Sequence, residues 1–259
     1  MTILDTITAY KQEEVTAKQK VLPVEVLQQS SFYKASCTPF AASVRTGVGI
    51  IAEHKRRSPS KQVINDQVSL PEVVQGYEKA GASALSILTD TRFFGGSLDD
   101  LALAKAHTSL PLLRKEFIID PYQVHESKAY GADALLLIAA CLSSEALKDL
   151  SQLAKELGLD VLVEVHNASE LEKCLLPSVD LIGVNNRNLK TFEVSIDTSK
   201  ELAHCIPSDY VKISESGIQD PQTVRILMDY GYQGFLMGEY FMKHANPGKA
   251  LSEFIQLLP

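Results

Sequence analysis

Glu53 and Lys55 stand two positions apart in IIAEHKRRSPSK, residues 50–61, at the end of an apolar run. In an extended strand, side chains two apart share a face. A carboxylate and an ammonium side by side can accept and deliver protons. Polar residues end other apolar runs in the same way: Thr89 and Asp90, Lys115, Glu164, Asn185 and Arg187, Glu215 with Ser216 and Gly217, and Gly238 with Glu239. Asn185 and Arg187 again share a face. Buried charge must be paired or act on a ligand, so charge recurring at one end of many runs points to one shared polar site. Each position taken alone has an ordinary alternative. A strand-end Lys or Glu is commonly a solvated rim residue, Asp90 can cap a turn, and Arg56 with Arg57 can be a solvated loop pair. His166, two residues after Glu164, reads as a hydrogen-bonded rim histidine and is not counted in the site.

The runs that must position these residues are VGIIAE, ALSILTD, LPLLRKEF, ALLLIAA, DVLVEVH, DLIGVN, YVKISE and GFLMG, starting at residues 48, 84, 110, 134, 160, 180, 210 and 234. Segments of helical spacing separate them. Several end at a glycine in the left-handed stop position (Gly81, Gly131, Gly158, Gly231), and Asp120-Pro121 and Asp220-Pro221 read as helix starts. Alternation of near-continuous apolar strands with helices predicts a parallel sheet covered by helices. Repetition on this scale fits a closed (β/α)8 TIM barrel better than an open doubly wound sheet, and no early GxGxxG turn favours the latter. Residues 1–46 do not follow the repeat. Ile3, Leu4, Ile7 and Tyr10 fall on one helical face there, which predicts an amphipathic helical extension packed on the barrel. No linker splits the chain, so 1–259 is expected to be a single domain, a length usual for such barrels.

The composition is that of a soluble protein, 45% apolar and 22% charged, and a formal net charge of −7 argues against nucleic acid or an anionic membrane as partner. Cys37, Cys141, Cys174 and Cys205 form no CxxC pair and no metal-like spacing. A reduced, cytoplasmic setting is expected. The opening MTILDTITAYKQEEV lacks the apolar core of a secretory signal, and no run is long enough to span a membrane.

Barrel active sites lie at the carboxyl ends of the strands, where the charges above fall. SESG at 214–217 and GFLMGEYF at 234–241 also fit the barrel phosphate site built after strands seven and eight, with Gly217 and Gly238 admitting a phosphate close to the backbone.

Taken in order and spacing, IIAEHKRRSPSK, LTDTRFFGGS, LRKEFIIDPYQ, GADALLLI, LVEVH, IGVNNRNL, KISESGI and FLMGEYFM resemble indole-3-glycerol phosphate synthases over nearly the whole chain. The EHKRRSPSK and NNRNL motifs carry the most specific resemblance. It implies ring closure of 1-(2-carboxyphenylamino)-1-deoxyribulose 5-phosphate with loss of CO2 and water, and no metal or organic cofactor. It also implies a small phosphorylated substrate as the only partner, with a monomer or weak homodimer as the assembly. By the same resemblance Lys115 is the general acid and Glu164 the general base. Glu53 is a catalytic carboxylate that also orients Lys115, and Lys55 binds substrate anion. Whether Lys55 or Lys115 gives the proton for dehydration stays open. Asn185 hydrogen-bonds the sugar-derived hydroxyl, and Arg187 with Ser58 clamps the aromatic carboxylate. Ser216, Gly217, Gly238 and Glu239 form the phosphate cup, and Leu88, Phe94 and Leu136 the slot for the aromatic ring. Glu215 and Leu236 complete the substrate-contacting set.

Three residues depart from the family's usual pattern: Glu116 where Asp is usual, Gln62 where Gly is common, and Tyr240 where a smaller residue is frequent. The first is expected to shift the support of Lys115 by one methylene. None removes a reacting group, so activity is expected with altered loop mobility or affinity. A phosphate-sugar isomerase would need a Cys/Asp or Asp/Asp pair at strand ends, and none appears. A barrel kept only to bind a metabolite is the non-enzymatic alternative.

Overall fold

The computed structural model describes residues 2–59, 61–188 and 191–259; Ser60 and Leu189, each part of one of the two most specific motifs, lie outside these. Eight parallel strands close into a barrel in sequence order. They are β1 (Gly49–His54), β2 (Ala84–Leu88), β3 (Leu112–Lys115), β4 (Ala134–Ile138), β5 (Asp160–Val165), β6 (Leu181–Asn185), β7 (Val211–Glu215) and β8 (Gly234–Met237). Before β1 come α1 (Ile3–Val21), α2 (Val24–Leu27), α3 (Ser31–Lys34) and α4 (Phe40–Arg45). The principal helices between strands are α5 (Leu70–Ala80), α6 (Leu98–His107), α7 (Pro121–Ala129), α8 (Ser144–Glu156), α9 (Ala168–Glu172), α10 (Asp197–Leu202) and α11 (Pro221–Asp229). After β8 follow α12 (Glu239–Met242) and α13 (Pro247–Ile255).

Period-two alternation divides the strands between two cores, β7 excepted, whose outward positions are Lys212 and Ser214. On β4, Ala134, Leu136 and Ile138 pack with the barrel interior, whereas Leu135 and Leu137 pack with the helical layer. The helix starts follow the sequence signals: Asp120 Oδ1 accepts from Tyr122 N (2.8 Å) and Asp220 Oδ1 from Thr223 N (2.9 Å), each with Pro in the first turn.

The amino-terminal segment closes both ends of the barrel. Phe40 and Val44 of α4 are fully buried and plug the bottom. The glycine at 234 makes room for that plug, since a Cβ there would stand 2.6 Å from Val44 Cγ1. At the other end, Ile3, Leu4 and Ile7 of α1 face the mouth, as the apolar stripe predicted. Tyr10 instead lies partly exposed under the Arg92 guanidinium, 4.3 Å from its ring centre.

Charge fixes α1 in place as firmly as apolar contact does. The Lys11 side chain is 1% exposed, with Nζ 2.8 Å from Glu14 Oε2, 3.0 Å from Asp90 Oδ2 and 3.2 Å from Glu116 Oε1. Burial opposes its charge, but Glu116 and Asp90 outweigh burial and hold the ammonium above its usual range. Beside it, buried Arg114 pairs with Glu126 (2.7 Å) and donates to Gln123 O and Ser127 Oγ, joining β3 to α7. No described helix is long and apolar enough to cross a membrane.

Candidate active site

The carboxyl ends of the strands surround a cavity of about 490 Å3, and every residue given a role by the family resemblance lies on its wall; Thr89 and Asp90, also at a strand end, lie off it and hold Glu116 and Lys11 instead. Glu53, Lys55 and Ser58 come from β1 and the loop after it; Leu88 and Phe94 come from β2 and its loop. The next three strands contribute Lys115, Leu136 and Glu164. Asn185 and Arg187 come from β6 and its loop, Glu215, Ser216 and Gly217 from β7 and its turn, and Leu236, Gly238 and Glu239 from β8 and its turn.

Lys115 sits at the centre. Its Nζ donates to Glu164 Oε2 at 3.1 Å and to Glu215 Oε2 at 2.7 Å. Burial works against the ammonium, but Glu215, Glu164 and Glu53 hold it charged and above its usual range. Burial raises both glutamates as well. At Glu164, Lys115, His166 and the Asn185 amide (3.1 Å to Oε1) reverse this and hold the carboxyl low. At Glu215 burial, reinforced by Glu164 and Glu53, prevails over Lys115 and the carboxyl stays high. Carboxylates with separated proton affinities around one ammonium suit acid and base steps in a single site.

Two expectations about the support of Lys115 need correction. Glu53 makes no hydrogen bond to Lys115. It accepts from Lys55 Nζ (2.7 Å) and Ser86 Oγ (3.3 Å) and reaches Lys115 only through its field. Nor does Glu116 support Lys115. It is buried and holds Lys11, the Thr89 hydroxyl (2.8 Å) and Phe117 N (2.8 Å). Glu215, across the barrel, takes the place foreseen for Glu53 because barrel closure brings β3 and β7 to a common centre.

Arg187 has no carboxylate partner among the described residues; its guanidinium reaches only Phe192 O at 3.5 Å, so a cation remains at the mouth for an incoming anion. Arg56 and Arg57 are not a solvated pair. Arg56 forms two short bonds to Asp100 (2.6 and 2.9 Å), and Arg57 donates to Thr91 O and Arg92 O, tying the first loop to the second. Ser58 turns back on Lys61 through paired backbone bonds of 2.9 and 3.0 Å. Gln62 is exposed and is not among the residues with positive φ, as a side chain there requires. Tyr240 lines the cavity and packs edge-on against Phe241 and Phe254.

Ser216 (φ 66°) and Gly217 (φ 77°) put two successive residues in the left-handed region, turning the backbone after β7 toward the cavity. Asn186, which the sequence reading passed over beside Asn185, holds this turn by donating to Ser216 O (3.1 Å) and Ser214 Oγ (3.0 Å). Gly238 has a steric role that the sequence did not indicate. A Cβ there would lie 2.7 Å from Glu53 Oε1, so the missing side chain leaves room for the carboxylate. Gly183 does the same for Glu215, where a Cβ would lie 2.3 Å from Oε1. Gly183→Ala is therefore expected to displace Glu215 from Lys115, lowering turnover and costing about 1–3 kcal/mol of stability. Urea unfolding and kcat measured together test this, and a variant matching the parent in both would contradict it.

The cavity also takes Ile3, Leu4, Ile7, Phe117, Phe192 and Lys243, none of which the strand ends indicated. The α1 stripe was the available signal for the first three. Phe94 and Phe117 stack at a tilt, 5.9 Å between ring centres, and form an apolar wall opposite the polar centre. No three His, Cys, Asp or Glu side chains among the described residues are grouped to hold a metal ion.

Residues 4–254 match the family model described as indole-3-glycerol phosphate synthase. The chain is 47% identical over 257 residues to a protein of that name from Bacteroides thetaiotaomicron, covering 99% of this chain and 98% of the other. It is 45% identical to one from Acinetobacter baylyi, covering 97% and 95%. Among solved structures, a mutant tryptophan synthase α-subunit from Pyrococcus furiosus superposes with a TM-score of 0.61 at 14% identity, over 82% of this chain and 97% of the other, a likeness of fold alone.

Proposed function

The chain belongs to the indole-3-glycerol phosphate synthase family, and on that premise we propose how its site divides the work. The reaction closes the pyrrole ring of 1-(2-carboxyphenylamino)-1-deoxyribulose 5-phosphate, releases CO2 and water, and yields indole-3-glycerol phosphate for tryptophan biosynthesis. Lys115 is the general acid. It protonates the ketone oxygen as the ring carbon bearing the carboxylate attacks, and CO2 then leaves from that carbon. In the dehydration Lys55 or Lys115 gives the departing hydroxyl the proton that makes it water, and Glu164 is the general base that takes the proton from the ring carbon beside the nitrogen, leaving the indole. The observation that carries this reading is the contact of Lys115 Nζ with both Glu164 and Glu215 at the base of the mouth.

Around this centre, Arg187 and Ser58 hold the aromatic carboxylate, and Asn185 a sugar-derived hydroxyl. Leu88, Phe94, Leu136 and Leu236 flank the ring. Ser216, Gly217, Gly238 and Glu239 receive the phosphate through backbone N–H groups. The left-handed turn after β7 and the first turn of α12 support that placement, since the first N–H groups of a helix lack partners within it. Lys55, held by Glu53, is a second ammonium for substrate anion, and Glu53 is a catalytic carboxylate acting through it. We take residues 1–259 as one functional unit with 1–46 as its extension, acting in the cytoplasm as a monomer or weak homodimer without nucleic-acid, membrane or cofactor partners.

Incubation with the carboxyphenylamino substrate should release indole fluorescence, and no turnover anywhere between about pH 6 and 9 would contradict the assignment. Arg187→Ala should raise KM at least about tenfold, because a charged hydrogen-bonded contact contributes about 1.5–3 kcal/mol, with a smaller fall in kcat. An unchanged KM would remove Arg187 from the carboxylate clamp.

A further inference from the structure

Lys115 faces two buried glutamates, and nothing in its own geometry selects which carries the negative charge that a base needs. The other oxygens of the pair differ. Glu164 Oε1 accepts from Asn185 Nδ2 at 3.1 Å and faces His166 Nε2 at 3.4 Å, an ion-pair approach without a hydrogen bond. Glu215 Oε1 is buried with no hydrogen-bond partner among the described residues. His166 follows β5, and its Nδ1 lies 3.1 Å from Glu170 Oε2, which also accepts from the His166 backbone N–H at 2.9 Å. Asn167 holds the other Glu170 oxygen at 2.8 Å. With a carboxylate at each ring nitrogen, both contacts attract only when both nitrogens carry protons. Neither His166 nor Glu170 is part of the cavity wall.

We propose that His166, anchored by Glu170, is a positioning residue that places the negative charge of the carboxylate pair on Glu164 rather than on Glu215. This rests on Glu164 being the base. The groups facing the imidazole agree in sign. Burial disfavours its charge, but Glu170, Glu164 and Glu215 hold the imidazolium up. Cys141, also near Glu164 and Glu170, is pushed up by burial to about 11 and remains a neutral thiol. Lys173, after α9, is turned away to Ala139 O and Leu142 O. His166 and Lys115 are therefore the cations bearing on Glu164, and His166 touches only one member of the pair.

The test is the pH dependence of kcat/KM. Removing the imidazolium takes away a charge that favours ionised Glu164, so its carboxyl gains proton affinity and the acid limb moves to higher pH. For both His166→Ala and His166→Gln the expected shift is about one pH unit, a loss of about tenfold in kcat/KM on the acid side. KM at the plateau stays within a few-fold. Gln keeps a polar side chain without charge, so agreement of the two variants separates charge from packing. Glu170→Gln, which loses the anchor, should move the limb in the same direction. Acid limbs coincident with the parent in both His166 variants, or a loss appearing wholly as KM, would overturn the proposal. Glu164→Gln tells the two failures apart. If it retains turnover, the base assignment falls and this inference with it. If it abolishes turnover while the His166 variants titrate like the parent, this inference alone fails.

Discussion

Lys115→Ala is expected to lower kcat by about 10²–10⁴-fold while KM changes only a few-fold, the signature of a proton donor that acts mainly in the transition state. Among the described residues the ammonium is the one cation bonded to both buried glutamates at the centre of the mouth. Its loss removes the acid and also takes away the one ammonium bonded to Glu215, leaving His166 as the remaining cation beside the pair. The anchors proposed for the substrate, Arg187 and the turns after β7 and β8, are untouched, which is why binding should survive. Steady-state kinetics check the separation. Turnover within tenfold of the parent would remove Lys115 from the acid role.

The second large effect concerns stability. Lys11→Met should destabilise the protein by about 3–5 kcal/mol, the cost of leaving a buried charge cluster without its partner. Met approximates the length of the lysine stem, so the loss is mainly electrostatic. Asp90 Oδ2 would lose its only ion pair among the described residues, while Oδ1 still accepts from Phe93 N (2.6 Å) and Phe94 N (3.1 Å). Glu116 would keep Thr89 and Phe117 N but lose its ammonium. These carboxylates fix the backbone of Phe94 and Phe117, the aromatic wall of the cavity, so a rise in KM should accompany the lost stability. Denaturant unfolding is the check, and a change below about 1 kcal/mol would show that the cluster is not an anchor.

The sequence was informative where a signal is local. Each apolar run became a strand within about two residues of its ends, the usual uncertainty of such boundaries, because inward and outward residues of a covered parallel sheet are both apolar. Strand-end charges were legible because a barrel gathers them at one rim. Partner choice was not legible. Lys115 meets Glu215 rather than Glu53 because β3 and β7 converge only when the barrel closes. Nothing in the sequence set Lys11 apart on the amphipathic first helix, since its partners at 14, 90 and 116 come from three separate parts of the chain. Asn186 was passed over because it sits beside Asn185, and His166 was set aside because a lone histidine at a strand end reads as a hydrogen-bonded rim residue. Ser216 gave no sign of its positive φ, and the steric need for glycine at 238 depends on where the Glu53 side chain lies.

One substrate is expected to span the mouth with its phosphate at one side, its aromatic carboxylate at the other and its reacting atoms over Lys115. A crystal structure with a reduced, unreactive analogue of the carboxyphenylamino substrate tests this most directly. Phosphate density against the backbone of Ser216, Gly217, Gly238 and Glu239, with the aromatic carboxylate on Arg187 and the former ketone oxygen within hydrogen-bond reach of Lys115 Nζ, is the predicted result. An analogue bound in the reverse sense, or with that oxygen away from Lys115, would contradict it.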